Sequence, residues 1–253
     1  MLAERSVRHR LVALMTHEAV LLLRAPGPLI GYTVMPLLLM TVLQPTFTRM
    51  SFAGPSDVDA TVQAAAGMAV MFALFALKLV GADVLQERTW HTWDRLRASP
   101  AGIFEVLGGK AVPMLGVLIV HQAVIIGFAM VAFGLRPAAP WWGIALVVLA
   151  WSSCVLVLGA AAATLVRSPA QLSAAGDIAA ILTSILGGAL VPISVLPSWL
   201  SAAAPLSPGY WAMQCYRGVL ADPVTISLTA VAGLATFVAL GLIVSASLVR
   251  MRE

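Results

Sequence analysis

The sequence contains no asparagine, so it offers no site for N-linked glycosylation. Only two of its 253 residues are cysteine, Cys154 and Cys215, which excludes a disulfide framework. Charged residues make up 10% of the chain, against about 25% in an ordinary soluble domain. With 60% hydrophobic residues and a mean hydropathy of +0.96, the chain holds more apolar surface than a soluble core of this length can bury. We therefore expect an all-α protein embedded in a lipid bilayer.

Motifs for catalysis and for metal binding are also missing. The chain has neither the zinc-protease spacing His-Glu-x-x-His nor a Gly-x-Ser-x-Gly turn, and its four histidines are widely scattered. The sequence Gly108-Gly109-Lys110 resembles the end of a phosphate-binding loop, but Phe104 and Ala111 stand where that motif requires glycine and Ser or Thr. We therefore predict that the chain is not an enzyme and binds no metal or cofactor. Any ATP and Mg²⁺ that drive it would bind to another polypeptide.

Six segments are long and apolar enough to cross a membrane as helices, which requires about 20 residues each. The predicted spans cover residues 29–47, 61–82, 111–133, 142–166, 175–195 and 224–249. Lys78 and Asp177 are placed by these bounds close to span ends, where charged side chains can reach the headgroups.

The basic residues predict the orientation of the chain. The N-terminal segment, the second and fourth connections and the C-terminal tail carry eleven Lys and Arg, whereas the opposite side carries only Arg49, Arg136 and Arg217. Since cytoplasmic connections are enriched in Lys and Arg, both termini are predicted to be cytoplasmic. The abundance of Arg, Ala and Gly suggests a bacterial source, so we expect a multi-pass protein of the bacterial plasma (inner) membrane.

The first 28 residues predict a helix that lies on the membrane rather than across it. Val7, Leu11 and Leu14 share a broad face with other apolar residues, while His17 and Arg24 lie mostly on the other side. Such an amphipathic pattern is typical of an interfacial helix. We therefore divide the chain into an interfacial helix at residues 1–28 and a six-span domain at residues 29–253.

The connection at residues 83–110 contains more apolar residues than a simple linker needs. Ser99-Pro100 is a typical helix start, with Ser as N-cap and Pro in the first position, and Gly108-Gly109 is a typical stop. The pattern predicts a short amphipathic helix at residues 100–107, with Ile103 and Leu107 on one face. Such a helix suits either docking into a groove on a soluble partner or packing on the membrane surface.

His121 and Gln122 form an unusual polar pair inside the third span. One interpretation is a pair that hydrogen-bonds to a neighbouring helix. The other is a contact with substrate or with protons along a translocation path.

The 83–110 connection resembles the loop between the second and third spans of type-2 ATP-binding-cassette exporter permeases. The resemblance rests on the run Glu87-Arg88-Thr89-Trp90-His91-Thr92-Trp93-Asp94-Arg95-Leu96-Arg97-Ala98-Ser99-Pro100 and on Gly109-Lys110. His91 departs from the family pattern, in which glycine is usual at that position. A second resemblance, to the last extracellular region of the same family, is carried by Gly187, Gly188, Pro192, Pro197, Pro208, Tyr210 and Arg217. In that family the chain dips back into the membrane there, so the resemblance implies re-entrant extracellular helices between spans 5 and 6.

The resemblance implies a permease subunit of an ATP-driven exporter. Two such subunits, alike or different, would face each other, and each would rest on a separate cytoplasmic ATPase that receives a coupling helix between spans 2 and 3. The substrate class implied is an amphipathic drug, antibiotic or lipid-like molecule, moved outward past spans 1, 2 and 5, with a role in drug efflux, antibiotic resistance or lipid export. The residues implied to contact the ATPase are Glu87, Arg88, Thr92, Asp94, Arg95, Leu96, Ser99, Pro100, Ile103, Phe104 and Leu107.

Two other functions stay open at this point. An ion-coupled secondary carrier would use Lys78, His121 and Asp177 as its titrating groups. A membrane scaffold subunit without transport activity could have the same fold.

Overall fold

The computed structural model of the chain describes residues 2–24, 26–53, 59–89, 103–221 and 228–250. Within these ranges every regular element is helical. The α-helices are α1 (Leu2–Arg24), α2 (Pro26–Ala53), α3 (Ala60–Thr89), α4 (Ile103–Phe133), α5 (Trp141–Leu165), α6 (Pro169–Leu186), α7 (Ser198–Ala203), α8 (Pro208–Leu220) and α9 (Leu228–Arg250). Six of them, α2 to α6 and α9, are long and apolar enough to cross a membrane, which confirms the predicted all-α membrane protein with six spans.

Helix α6 corrects the predicted fifth span. It covers Pro169–Leu186 instead of 175–195, so it begins and ends earlier. Its start is fixed by Ser168, whose side chain accepts a hydrogen bond from the backbone N–H of Gln171 at 3.2 Å, with Pro169 in the first turn. Its end is fixed by Gly188, whose φ of +74° breaks the right-handed helix. As a result Asp177 lies half-way along the helix and not at a span end.

Helix α3 is the centre of the bundle. It packs against α2, α4, α5, α6 and α8. Of its membrane-spanning window 78% is buried, compared with 17% for α2 and 22% for α6. Because lipid tails are as apolar as leucine, close packing of small residues holds such helices together. A Cβ atom on Gly159 of α5 would lie 2.8 Å from the carbonyl oxygen of Leu77, so α3 and α5 approach each other at backbone distance there.

The two ends of the bundle are distinguished by their connections. Residues 187–220, which follow α6 and include α7 and α8, are called the cap here. The end of the bundle where they lie is the cap end. The 133–141 connection lies at this end too, since the backbone N–H of Ala139 donates to the carbonyl of Val219 at 3.0 Å. At the opposite end Leu85, Val166 and Leu172 form a small apolar cluster.

Helix α4 overturns the predicted helix stop at Gly108 and Gly109. The helix begins at Ile103 and runs unbroken through both glycines to Phe133. Gly109 faces α1: a Cβ atom there would lie 2.7 Å from the Cβ of Leu14. This glycine therefore permits close packing of two helices and does not terminate one.

Candidate functional site

The residues predicted to contact an ATPase fall on two helix ends and on a segment outside the described residues. Glu87 and Arg88 lie in the last turn of α3, and Ile103, Phe104 and Leu107 lie in the first turns of α4. The others, Thr92, Asp94, Arg95, Leu96, Ser99 and Pro100, lie outside the described ranges. The role of this set stays a prediction.

The prolines of the cap divide it into short elements. Pro192 precedes the 3-10 turn Ile193–Val195, Pro197 precedes α7, and Pro208 is the first residue of α8. Tyr210 of α8 stacks edge-on against Trp211, with ring centroids 4.9 Å apart. The re-entrant position of these elements stays a prediction.

Glycines join the cap to α3 and α6 without room for side chains. A Cβ atom on Gly187 would lie 2.6 Å from the carbonyl carbon of Gly209, and one on Gly209 would lie 2.8 Å from the carbonyl oxygen of Thr183. A Cβ atom on Gly67 of α3 would overlap the carbonyl oxygen of Ala189. The obstructing atoms are backbone atoms, so they cannot turn aside as a side chain could. The cap is therefore packed against the spanning helices through their backbones.

Gln63 of α3 hydrogen-bonds to two parts of the cap. No sequence motif selects this residue. It lies in the first turn of α3 and is 1% exposed. Its Nε2 donates to the carbonyl of Gly188 at 2.9 Å, and its Oε1 accepts from Nη2 of Arg217. The signal available in the sequence was a lone glutamine at the start of an otherwise apolar span.

Arg217 has a neutral partner. Its guanidinium bonds to Gln63, while its Nε is buried without a hydrogen bond partner in the described structure. Burial lowers the pKa of Arg217 from its usual value. A partly buried guanidinium bonded to one amide makes that amide important for stability.

A second glutamine links three helices deeper in the bundle. Gln122 of α4 donates to the carbonyl of Ala69 on α3 at 3.1 Å and accepts from the hydroxyl of Tyr216 on α8 at 3.2 Å. Both side chains are fully buried, and burial raises the pKa of Tyr216, so its hydroxyl stays protonated and can donate. Gln122 therefore fits the interpretation of a polar contact between helices.

The side chain of His121 replaces a backbone hydrogen bond that helix α2 lacks at Pro36. Pro36 has no N–H, so the carbonyl of Tyr32, four residues earlier, loses its helical donor. Nε2 of His121 lies 2.9 Å from that carbonyl oxygen and satisfies it as a donor. Nδ1 of His121 is buried without a hydrogen bond partner among the described residues. The histidine therefore links α4 to α2 at the position where Pro36 removes a helical hydrogen bond.

This arrangement predicts that His121 and Pro36 are energetically coupled. His121→Phe should lower the free energy of unfolding by about 1–3 kcal/mol, because it leaves the Tyr32 carbonyl buried and unpaired. In a Pro36→Ala background the restored backbone N–H satisfies that carbonyl, so the same substitution should cost less. Thermal unfolding of the four proteins in detergent measures the coupling. An equal loss in both backgrounds would contradict the assigned hydrogen bond.

Lys78 of α3 and Asp177 of α6 form an ion pair at 2.5 Å. Their side chains are 24% and 39% exposed, and the Lys78 Nζ lies 6.0 Å from the centre of the Tyr32 ring. The close approach of the two helices is allowed by Gly176, whose Cβ would lie 3.3 Å from the Cβ of Lys78. Charged groups near the middle of a span cost roughly 2.5–3.5 kcal/mol each on insertion scales and are usually functional.

A second ion pair fastens α1 to α4. Nζ of Lys110 lies 2.7 Å from the carboxylate of Glu18, and both side chains are more than four-fifths buried. Together with the Leu14–Gly109 contact, the pair holds α1 against the first turns of α4. The predicted interfacial position of α1 stays a prediction.

The described residues contain no group of three or more His, Cys, Asp or Glu side chains placed to hold a metal ion. Cys154 and Cys215 are both buried free thiols, and burial raises the pKa of Cys215 to about 11. The Cys215 thiol therefore lacks the low pKa that a nucleophile requires.

Comparison with known proteins agrees with the fold and with both sequence resemblances. The family model of the ABC-2 type transporter matches residues 9–221. The linearmycin resistance permease protein LnrN of Bacillus subtilis (strain 168) is 24% identical over 181 residues. That alignment covers 70% of this chain and 47% of the relative, so the chain spans about half of the length of LnrN. Since the family match extends over most of the chain, from α1 to the end of α8, this multi-pass membrane protein belongs to the ABC-2 type transporter family.

Proposed function

We infer that the chain is the permease subunit of an ATP-driven exporter that moves an amphipathic or lipid-like molecule outward across the bacterial plasma membrane. The family match and the six apolar helices support a transporter subunit. The similarity to LnrN, a linearmycin resistance permease, supports an amphipathic drug or antibiotic as the cargo. The chain has no phosphate-binding motif of its own, so the proposed motor is a separate ATPase that binds ATP and Mg²⁺.

The single observation that carries the coupling proposal is the continuity of α4. The helix starts at Ile103, inside the segment proposed to contact the ATPase, and continues to Phe133. Along its length it holds α1 through Lys110, α2 through His121 and both α3 and α8 through Gln122. A displacement of its first turns is therefore passed to four other helices.

A pair of permease subunits forms the proposed path. Helices α2 and α6 bury little of their spanning windows within one subunit, 17% and 22%, so most of their apolar surface is left for lipid or for a second subunit. We assign the path to α2, α3 and α6 of the two subunits, with both termini in the cytoplasm and the cap on the outer side. The second subunit is either another copy or a related permease.

The proposal predicts that a charge in the first turns of α4 uncouples the motor. Phe104→Asp or Leu107→Asp should remove the ATPase from the tagged permease, because a charged side chain cannot enter an apolar groove. A loss of about 2 kcal/mol in binding, typical of a central interface residue, is about a 30-fold weaker complex. The measurement is the ATP hydrolysis and the ATPase peptides recovered with the permease from membranes of its native host.

The matched control places the same charge at the cap end. Leu206, in the 3-10 turn of the cap, is 79% exposed and lies outside the spanning helices, so Leu206→Asp should leave ATPase recovery unchanged. Full recovery with the α4 variants would refute the docking role. Export that continues without any ATPase but stops when the proton gradient is collapsed would favour an ion-coupled carrier instead.

A further inference from the structure

The ion pair between Lys78 and Asp177 joins two helices that are long and apolar enough to span the membrane. Asp177 is half-way along an 18-residue spanning helix, and its side chain is 39% exposed. Lipid tails cannot solvate a carboxylate, so ionisable groups at this depth face a polar space or a polar molecule. The exposed side of the pair therefore needs a polar neighbour that residues 2–24, 26–53, 59–89, 103–221 and 228–250 do not supply.

The pair also has unused binding capacity. The hydrogen bond from Lys78 to Asp177 uses Oδ1, and in the described part of the chain Oδ2 has no donor. Nζ of Lys78, whose side chain is 24% exposed, donates to this carboxylate and also interacts with the Tyr32 side chain. An ammonium has three donors and a carboxylate about four acceptor positions, so both groups can take a further partner without breaking the bond between them.

Apolar side chains continue from the pair along both neighbouring helices. Ile181, one turn after Asp177 on α6, is 43% exposed, and Met35, one turn after Tyr32 on α2, is 50% exposed. A charged pair next to exposed apolar side chains matches a molecule with a polar head and a hydrocarbon tail.

We propose that Lys78 and Asp177 form a binding site for a zwitterionic headgroup, which carries both an ammonium and a phosphate or carboxylate. A simple cation meets the repulsion of Lys78, and a simple anion meets that of Asp177. A zwitterion places its ammonium on Oδ2 of Asp177 and its anionic group on Lys78, so both of its charges are attracted. Its tail lies along Ile181 and Met35. If the bound zwitterion is the transported molecule, the site defines the substrate class of the proposed exporter, and the inference rests on the proposed function. If it is a resident lipid, the inference is independent of that function.

The test compares three lipids with identical acyl chains. Purified protein in dodecyl maltoside is titrated with dilauroyl phosphatidylethanolamine, dilauroyl phosphatidylglycerol or dilauroylglycerol, without ATP, and binding is measured by native mass spectrometry and by thermal unfolding. We expect the zwitterionic lipid to bind with at least tenfold higher affinity than the other two. In the double variant Lys78→Gln/Asp177→Asn this preference should vanish, while Glu18→Gln/Lys110→Gln, which removes the other ion pair, should keep it.

A labelling experiment on the unaltered protein covers the case in which the double variant does not fold. A photoreactive phosphatidylethanolamine should label peptides that contain residues 177–182 or 32–35. Labels confined to other helices, or equal binding of all three lipids, would overturn the site. A double variant that separates permease dimers and keeps the lipid preference would also overturn it, because the pair would then be a subunit contact.

Two further measurements distinguish a zwitterion that is a resident lipid from one that is transported cargo. Phosphatidylethanolamine that co-purifies with the unaltered protein and is absent from the double variant identifies a resident lipid. Binding of the added lipid alone, with release on ATP addition to the full transporter, identifies transported cargo. The lipid titration needs no ATPase, so its result is independent of the ATPase pull-down. Either experiment can fail without affecting the conclusion drawn from the other.

Discussion

Gly67→Ala should destabilise the protein more than any other single-methyl addition in α3. A Cβ atom at this position overlaps the carbonyl oxygen of Ala189, which belongs to the backbone of the cap. Relief requires the whole cap to move away from α3, where Gln63 bonds to the carbonyl of Gly188. Insertion of a methyl group into a fully packed site costs about 1–3 kcal/mol and occasionally more. The measurement is the unfolding temperature of the purified protein in detergent.

The control for Gly67→Ala is Gly116→Ala on α4. Gly116 also lies inside a spanning helix, but a Cβ atom there meets nothing within 4 Å. Alanine is a better helix former than glycine by about 1 kcal/mol, so this variant should be neutral or slightly more stable. If both variants lose stability equally, the cap does not approach α3 as closely as described.

Gln63→Leu should produce the second large loss. Leucine has a similar size, yet it removes the acceptor of Arg217 and the donor to the Gly188 carbonyl together. Hydrogen bonds to charged groups contribute about 1.5–3 kcal/mol to the free energy of unfolding. Without Gln63 the guanidinium of Arg217 is partly desolvated and lacks this acceptor. We expect a loss of about 2–3 kcal/mol in the free energy of unfolding on these grounds, measured by thermal or denaturant unfolding.

Two comparisons isolate the cause of the Gln63→Leu effect. Gln44 of α2 is only partly buried, and in the described part of the chain its side chain makes no hydrogen bond, so Gln44→Leu should change little. The double variant Gln63→Leu/Arg217→Met removes the orphaned guanidinium and should recover part of the loss, since removal of both partners is less costly than removal of one. No recovery would show that the bond to Gly188 alone is responsible.

The spans were predictable because lipid imposes a simple requirement on composition. A helix of about 20 apolar residues leaves a clear signal, and the six predicted spans appear as six helices. Helix starts also carry a local signal. The dipeptide Ser-Pro begins α6 at Ser168 and α8 at Ser207, in each case with the serine hydroxyl accepting a backbone N–H. Apolar composition alone predicts a fifth span at 175–195, whereas the Ser168-Pro169 signal marks the observed start of α6.

Glycine pairs were not interpretable from local sequence. Gly187-Gly188 ends α6, whereas Gly108-Gly109 lies within α4. The difference depends on tertiary contacts: Gly188 adopts a φ of +74°, while Gly109 makes room for Leu14 of α1. A glycine is needed in both situations, for backbone freedom in one and for close approach in the other.

The candidate sites were only partly predictable for a related reason. Two of the cap residues selected from the sequence, Gly188 and Arg217, are linked in space through Gln63, and the functional role of the set stays a prediction. Gln63 itself has no motif, and its importance arises from partners more than 120 residues away. The predicted fifth span puts Asp177 close to its end, whereas the structure puts this residue half-way along α6 because the helix begins at Pro169.

The continuity of α4 has a geometric consequence. Its 31 residues, at 1.5 Å per residue, form a rod of about 46 Å, longer than the hydrocarbon layer of about 30 Å. His121 and Gln122 pin this rod near its middle, to α2 and α3. A helix held near its midpoint can rotate about that point, so we expect the ends at Ile103 and Phe133 to move in opposite directions, with bending concentrated at Pro113.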